Sequence, residues 1–289
     1  MNWLMLDELR ELYRYRELLW TLVLRELRVR YKNSYLGFFW SLIVPLVTVA
    51  VLTIVFKRVM GMVIPNYSAY VLAAFLPWMY FQTALLDSSQ SVLAQIQLVK
   101  KVYFPREILP LAAVLANLIH FALALVVFFV YLLGYVNAPL LPSVILLPVL
   151  VFFQTLLIAG LSLIISCLNV FYEDTKYIVS IGLQLMFYLV PVIYFSEQVY
   201  HAQIASPEWQ RWIYLVYHLN PVAMLMTAYR KILLPPITVQ QVGAVQKQTF
   251  ASLPMDWGLL AVACAVSVLI FILGYAFFNR RKWDFAEQP

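Results

Sequence analysis

Residues 97–135 read QLVKKVYFPREILPLAAVLANLIHFALALVVFFVYLLGY. From Ile108 to Tyr135 there is no Asp, Glu, Lys or Arg. About 20 apolar residues suffice for a helix to cross the hydrocarbon core of a bilayer, so this run reads as a transmembrane helix. It is entered through a compact polar knot, Lys100, Lys101, Arg106 and Glu107, broken by Pro105. Five further runs of similar character lie at 36–56, 69–90, 141–168, 177–195 and 257–278. The predicted fold is therefore an all-α polytopic membrane protein with six transmembrane helices. Composition agrees, since 64% of the 289 residues are hydrophobic and only 12% are charged, against about 25% charged in a soluble domain. Pro45, Pro77, Pro148 and Pro191 fall inside spans, where neighbouring helices re-satisfy the freed backbone. The third and fourth spans are separated only by VNAPLLP and form a tight helical hairpin.

The basic residues orient the chain. With the N-terminus inside, the inner segments hold fourteen Lys and Arg and the outer segments six. The positive-inside rule then predicts both termini in the cytoplasm, with the 97–110 knot on the same side. These cations gather at segment ends and build no continuous face for nucleic acid. Cys167 and Cys264 lie in apolar runs and read as small buried hydrophobes. The start, MNWLMLDELREL, carries acidic residues where a basic-then-apolar leader would be needed, which predicts no cleaved signal.

Residues 2–32 follow a different pattern. Asp7, Arg10, Glu11, Arg14 and Glu17 share one helical face, and Leu9, Leu12, Tyr13, Trp20 and Val23 the opposite one. This spacing predicts an N-terminal amphipathic helix lying in the membrane interface, with Arg16 snorkelling from its apolar side. The loop 196–256 between spans five and six contains EWQRWIYLVYHLNPVAMLMTAYRKILL, apolar and aromatic but interrupted by His218, Asn220 and Pro221. A re-entrant or interfacial helical pair is expected there, followed by a polar surface loop.

Several chemistries find no motif. None of the eight glycines opens a phosphate-cradling G-x-x-x-x-G-K-[ST] loop. The histidines, His120, His201 and His218, lack metal-ligand spacing, and there is no G-x-S-x-G elbow. Asp87, near the end of the second span, reads as a solvated or capping carboxylate. His120, Gln154 and Gln184 fall within spans three, four and five, with Asn117 one turn before His120. Polar groups at that depth face a bundle interior, either as interhelical hydrogen bonds or as lining of a conduit.

Three passages together resemble one family: RELRVRYKNSYLGFFWSLIVPL (25–46), LVKKVYFPREILP (98–110) and LNPVAMLMTAYRKILL (219–234). In order and placement they are similar to the type-2 ABC exporter permeases that move O-antigen, teichoic acid and capsule polysaccharides. The resemblance implies a single permease domain over 1–289, with an interface helix at 1–33 and spans one to five within 36–195. The external gate and loop would then occupy 196–256, the sixth span 257–278 and a cytoplasmic tail 279–289. It implies a homodimer in the cytoplasmic membrane of a bacterium or archaeon, joined by two ATPase subunits. ATP and Mg would bind those subunits; the chain itself would hold no cofactor, no metal and no catalytic residue.

By the same resemblance, a short coupling helix at about 95–106 docks into the ATPase. Lys100, Lys101, Arg106 and Glu107 would be its polar contacts, Leu98, Val99, Tyr103 and Phe104 its apolar anchor, and Pro105 its stop; the alternative is that Lys100 and Lys101 only fix topology and bind anionic lipid. Gate helices would lie at about 197–232, with Trp209, Trp212, Asn220, Pro221 and Arg230 as candidates. The cargo would be a lipid-linked glycan, its anionic head group drawn to Arg28, Arg30 and Lys32; the alternative role of these three is snorkelling and positive-inside anchoring. One departure is VFYEDTKYI (170–178), where Glu173 precedes Asp174 in place of the family's usual aromatic-Arg-Asp, which alters any ATPase contact there. Two rival classes remain at this point. One is a self-sufficient transporter or channel. The other is a membrane-embedded glycan-processing enzyme, for which Glu173 and Asp174 are the only adjacent acidic pair between spans.

Overall fold

The computed structural model describes residues 10–31, 39–59, 66–137, 139–201, 207–236, 239–242, 247–250 and 252–286. The long elements are helices: α1 (Arg16–Tyr31), α2 (Phe39–Thr53), α3 (Tyr67–Ser91), α5 (Ile108–Tyr131), α6 (Leu147–Phe171), α7 (Thr175–Leu189) and α11 (Trp257–Arg281). Short helices α4 (Ile96–Lys101), α8 (Ser196–His201), α9 (Pro207–Leu219) and α10 (Pro221–Leu233) join them. A two-stranded antiparallel ribbon, β1 (Val239–Val242) with β2 (Lys247–Phe250), stands where a surface loop was expected. It pairs Val239 with Phe250 and Val242 with Lys247.

Among the described residues, four helical runs are long and apolar enough to cross a membrane: Tyr67–Lys101, Ile108–Val136, Pro142–Phe171 and Trp257–Phe285. The segments read as spans one and five are helical as well, but α2 and α7 have 15 residues each, and α2 continues as a π turn through Val59. Fifteen residues rise about 22 Å, short of the roughly 30 Å core.

Separate core clusters mark two ends of the bundle, one around Val99, Phe104 and Phe278 and the other around Tyr214, Met224 and Leu259. The proximal end carries α1, α4 and the turn after α11; the distal end carries α8, α9 and α10. α3 lies at the centre. Its most apolar window is 78% buried, against 28% for α11. Trp78 and Phe81 of α3 are wholly enclosed, and Tyr80 stacks on Phe121 of α5 at 5.1 Å.

The tightest packing is between α6 and α11. A Cβ at Gly160 would sit 2.6 Å from the Ile270 carbonyl oxygen, and one at Gly274 would sit 2.2 Å from the Gly160 oxygen. Only glycine admits this approach. Backbone-to-backbone contact supplies the van der Waals packing that holds helices together where lipid removes the hydrophobic drive. Ser88 of α3 donates to Ser162 of α6 at 2.8 Å, a buried interhelical bond of the kind that adds about 1 kcal/mol.

α1 differs from expectation in which face is covered. Leu18, Leu19, Leu22, Val23 and Leu27, spaced by three and four, turn inward and share a core cluster with Ile108, Ala112 and Ala116 of α5. Tyr13 and Trp20, read from the sequence as part of the apolar face, point outward and are more than half exposed. The apolar stripe is wider than the docking face, and the remainder stays open at the surface.

Candidate functional site

At the proximal end the chain leaves α3 through a 3₁₀ turn (Leu93–Gln95) into α4. The helix stops at Lys101, not near residue 106 as the sequence reading had it. Val102 is extended, with φ −127° and ψ 134°. Pro105 disfavours helical backbone at the residue before it, and its own carbonyl accepts from the Ile108 amide at 3.1 Å, opening the turn into α5.

The nine residues expected to dock a partner divide into two groups. Val99 and Phe104 are buried, packing with α1, α5, α6 and α11 in one cluster, and Leu98 is half-buried against it. They anchor the segment to its own chain. Tyr103 faces outward at 71% exposed, with Val102 beside it and Lys100 and Lys101 exposed. A cavity of about 290 Å³ opens among Lys101, Tyr103, Arg106, Trp283 and Glu11.

Glu107 is enclosed, 3.7 Å from the Lys282 ammonium, and accepts from the Tyr275 hydroxyl at 3.4 Å. Arg106 donates to the Lys282 carbonyl and lies over the rings of Trp283 and Phe285 at 5.8 and 5.9 Å. Burial pulls the Arg106 pKa below the usual arginine value and neighbouring Tyr103 pulls it back up; a guanidinium in such surroundings remains a cation. The sequence reading treated 279–289 as a tail. Its described part instead folds onto the α4–α5 segment.

Of the candidate head-group residues, Arg28 is exposed. Arg30 forms an ion pair with Asp87 and donates to Asn117 Oδ1 at 3.1 Å, while Asn117 Nδ2 donates to Asp87 at 2.8 Å. This triad ties α1 to α3 and α5. Asp87 is thus a bridging carboxylate where the sequence suggested a solvated or capping one, and its partners lie too far along the chain for local spacing to reveal them. Lys32 lies outside the described residues.

Among the candidate conduit residues, Gln154 is enclosed and donates to the Pro77 carbonyl at 2.7 Å, the interhelical alternative of the two readings. His120 is half-buried and Gln184 is exposed on α7. Glu173 and Asp174 are exposed in the turn before α7. No cluster of potential metal ligands occurs among the described residues.

At the distal end, α9 and α10 meet at Asn220, whose side chain accepts from the Val222 amide at 3.0 Å, with Pro221 at the first helical position. This is a favoured helix start. Trp209 and Trp212 of α9 are about two-thirds exposed, while α10 is buried. Arg230 is enclosed and donates to the carbonyls of Tyr70, Tyr194 and Val192 at 3.1, 2.9 and 3.0 Å, with its guanidinium 4.6 Å from the Phe195 ring. Beside it, Lys231 lies 3.6 Å from Glu197, which also accepts from the Leu253 amide. A second cavity, of about 370 Å³, opens between these residues and Met255.

The family model described as ABC-2 type transporter matches residues 17–234. The O-antigen export system permease protein RfbA of Klebsiella pneumoniae is 31% identical over 271 residues, covering 94% of each chain. A protein of the same description from Myxococcus xanthus is 33% identical over 284 residues, covering 98% of this chain and all of the relative.

Proposed function

We propose, from the premise that the chain belongs to the ABC-2 type transporter family, that it is the permease of an exporter for a lipid-linked polysaccharide of O-antigen type. The relatives' names support the cargo class. In this reading six helices span the cytoplasmic membrane, with α2 and α7 as the first and fifth spans and both termini in the cytoplasm. Two copies form the conduit, and two separate ATPase subunits bind ATP and Mg. α9 and α10 close the outer side. The lipid head group meets the membrane face of α1 at Arg28, with Arg30 held ready by Asp87.

The observation that carries the reading is the division of the α4–α5 segment. Val99 and Phe104 hold it to the bundle while Lys101, Val102 and Tyr103 are turned outward. This is how a chain without a phosphate loop presents a handle to one that has it. An apolar centre within a polar rim is the usual anatomy of a protein–protein contact. The full chain co-expressed with its ATPase subunit, as Lys101→Glu and Tyr103→Ala variants, tests it. Recovery of the complex, coupled ATP hydrolysis and export should each fall about tenfold, the equivalent of ~1.4 kcal/mol. All three unchanged would refute the docking role. Phe104→Ala is the poorer probe, because emptying its buried site costs about 3–5 kcal/mol of stability on its own.

A further inference from the structure

The turn Lys282–Ala286 is fixed from beneath. Phe285 is wholly enclosed, with ring centroids 5.9 Å from Phe171 and 5.4 Å from Phe278. Lys282 is held by its ammonium near Glu107 and by its carbonyl on Arg106. Trp283, between these two anchored residues, is 59% exposed. Trp283, Tyr103 and Arg106 all line the cleft, and the Arg106 guanidinium lies 5.8 Å from the Trp283 ring centroid. A large aromatic surface held rigidly in the open binds without the cost of ordering a loose side chain.

We infer that this C-terminal turn is a second part of the surface that receives the ATPase subunit, with exposed Trp283 and Tyr103 as paired anchors lining the same cleft. The inference rests on the reading of α4 as the docking element. The occupant is a protein surface that offers an apolar side chain flanked by carboxylates. Among the described residues that line the cleft, Lys100, Lys101, Arg106 and Lys282 outnumber the one carboxylate, Glu11, with Glu107 beside Lys282, so the lining is cationic. Tryptophan, tyrosine and arginine are also the residue types that dominate binding energy at protein interfaces. An anionic bilayer surface is the competing occupant.

The test uses the full chain with its ATPase subunit in native membranes. Residues Trp283, Tyr103 and, as a control at the distal end, Tyr135 are each replaced by p-benzoylphenylalanine and irradiated. The inference expects adducts with the ATPase subunit from 283 and 103 and none from 135. It also expects Trp283→Ala to reduce recovery of the ATPase about fivefold, with Trp283→Phe retaining it. Adducts to the ATPase from 103, with only lipid or a second copy labelled from 283, overturn the inference and leave the coupling reading standing. Failure of both positions to label the ATPase overturns the coupling reading and the inference together. Full recovery in Trp283→Ala removes the anchor role.

Discussion

The two ends of the bundle are built from the same parts. Each has a glutamate enclosed by protein, Glu107 or Glu197, within 3.7 Å of a lysine ammonium. Each sets an arginine on backbone carbonyls and beside aromatic rings. They differ in what the arginine leaves open. Arg230 donates to three carbonyls from two places in the chain, Tyr70 and the Val192–Tyr194 turn, and is buried. Arg106 holds one carbonyl and borders a cleft flanked by exposed Tyr103 and Trp283. Both arginines border a cavity, but the distal one is buried with three carbonyls, whereas the proximal one is half-buried beside exposed Tyr103 and Trp283. The same kind of ion pair thus lies beside a fully engaged arginine at one end and a partly engaged one at the other.

The comparison breaks most sharply at Arg230. Arg230→Ala strands three carbonyls, each costing about 1–3 kcal/mol when buried unpaired. The variant should lose folded protein outright in detergent extraction, and a well-expressed, stable variant would show that water reaches the distal end. Glu107→Ala comes next. Removing one partner of a buried pair costs about 3–5 kcal/mol, seen as a lowered Tm of the purified permease, and Glu107→Lys combined with Lys282→Glu should recover part of it. Gly160→Val or Gly274→Val tests the shaft between the ends. Forcing a side chain where only backbone fits costs about 1–3 kcal/mol or more, measured as loss of thermal stability with little change at either ion pair. The smallest effect is expected at the open surface. Tyr103→Ala and Trp209→Ala should each shift stability by less than about 0.5 kcal/mol, yet Tyr103→Ala alone should uncouple ATP hydrolysis.

The class of the protein was readable because oil is local information: a charge-free run from 108 to 135 announces a span without knowledge of its neighbours. The knot at Lys100 to Glu107 was visible for the same reason. Its internal division was not, because Val99 and Phe104 become inward-facing only once α1 and α11 pack against them. Pairs that join distant parts of the chain were out of reach. Asp87 meets Arg30 and Asn117, and Glu107 meets Lys282, across separations that carry no period. The glycines at 160 and 274 sit in different spans, so no spaced small-residue motif exposes their contact. The ribbon at 239–250 was missed because VQQV and KQTF are too short and polar to signal strands.

The glycine contact between α6 and α11 also bears on how the molecule is made. Segments emerge from the ribosome in order, and α11 is the last long helix of those described. Until it arrives, Gly160 borders a groove that no earlier helix fills, and Glu107 waits for the lysine that lies just beyond it. Assembly is therefore completed by the final helix rather than by the first hairpin. A nascent chain cut short before residue 257 would lack both the α11 side of the glycine contact and the lysine that pairs with Glu107.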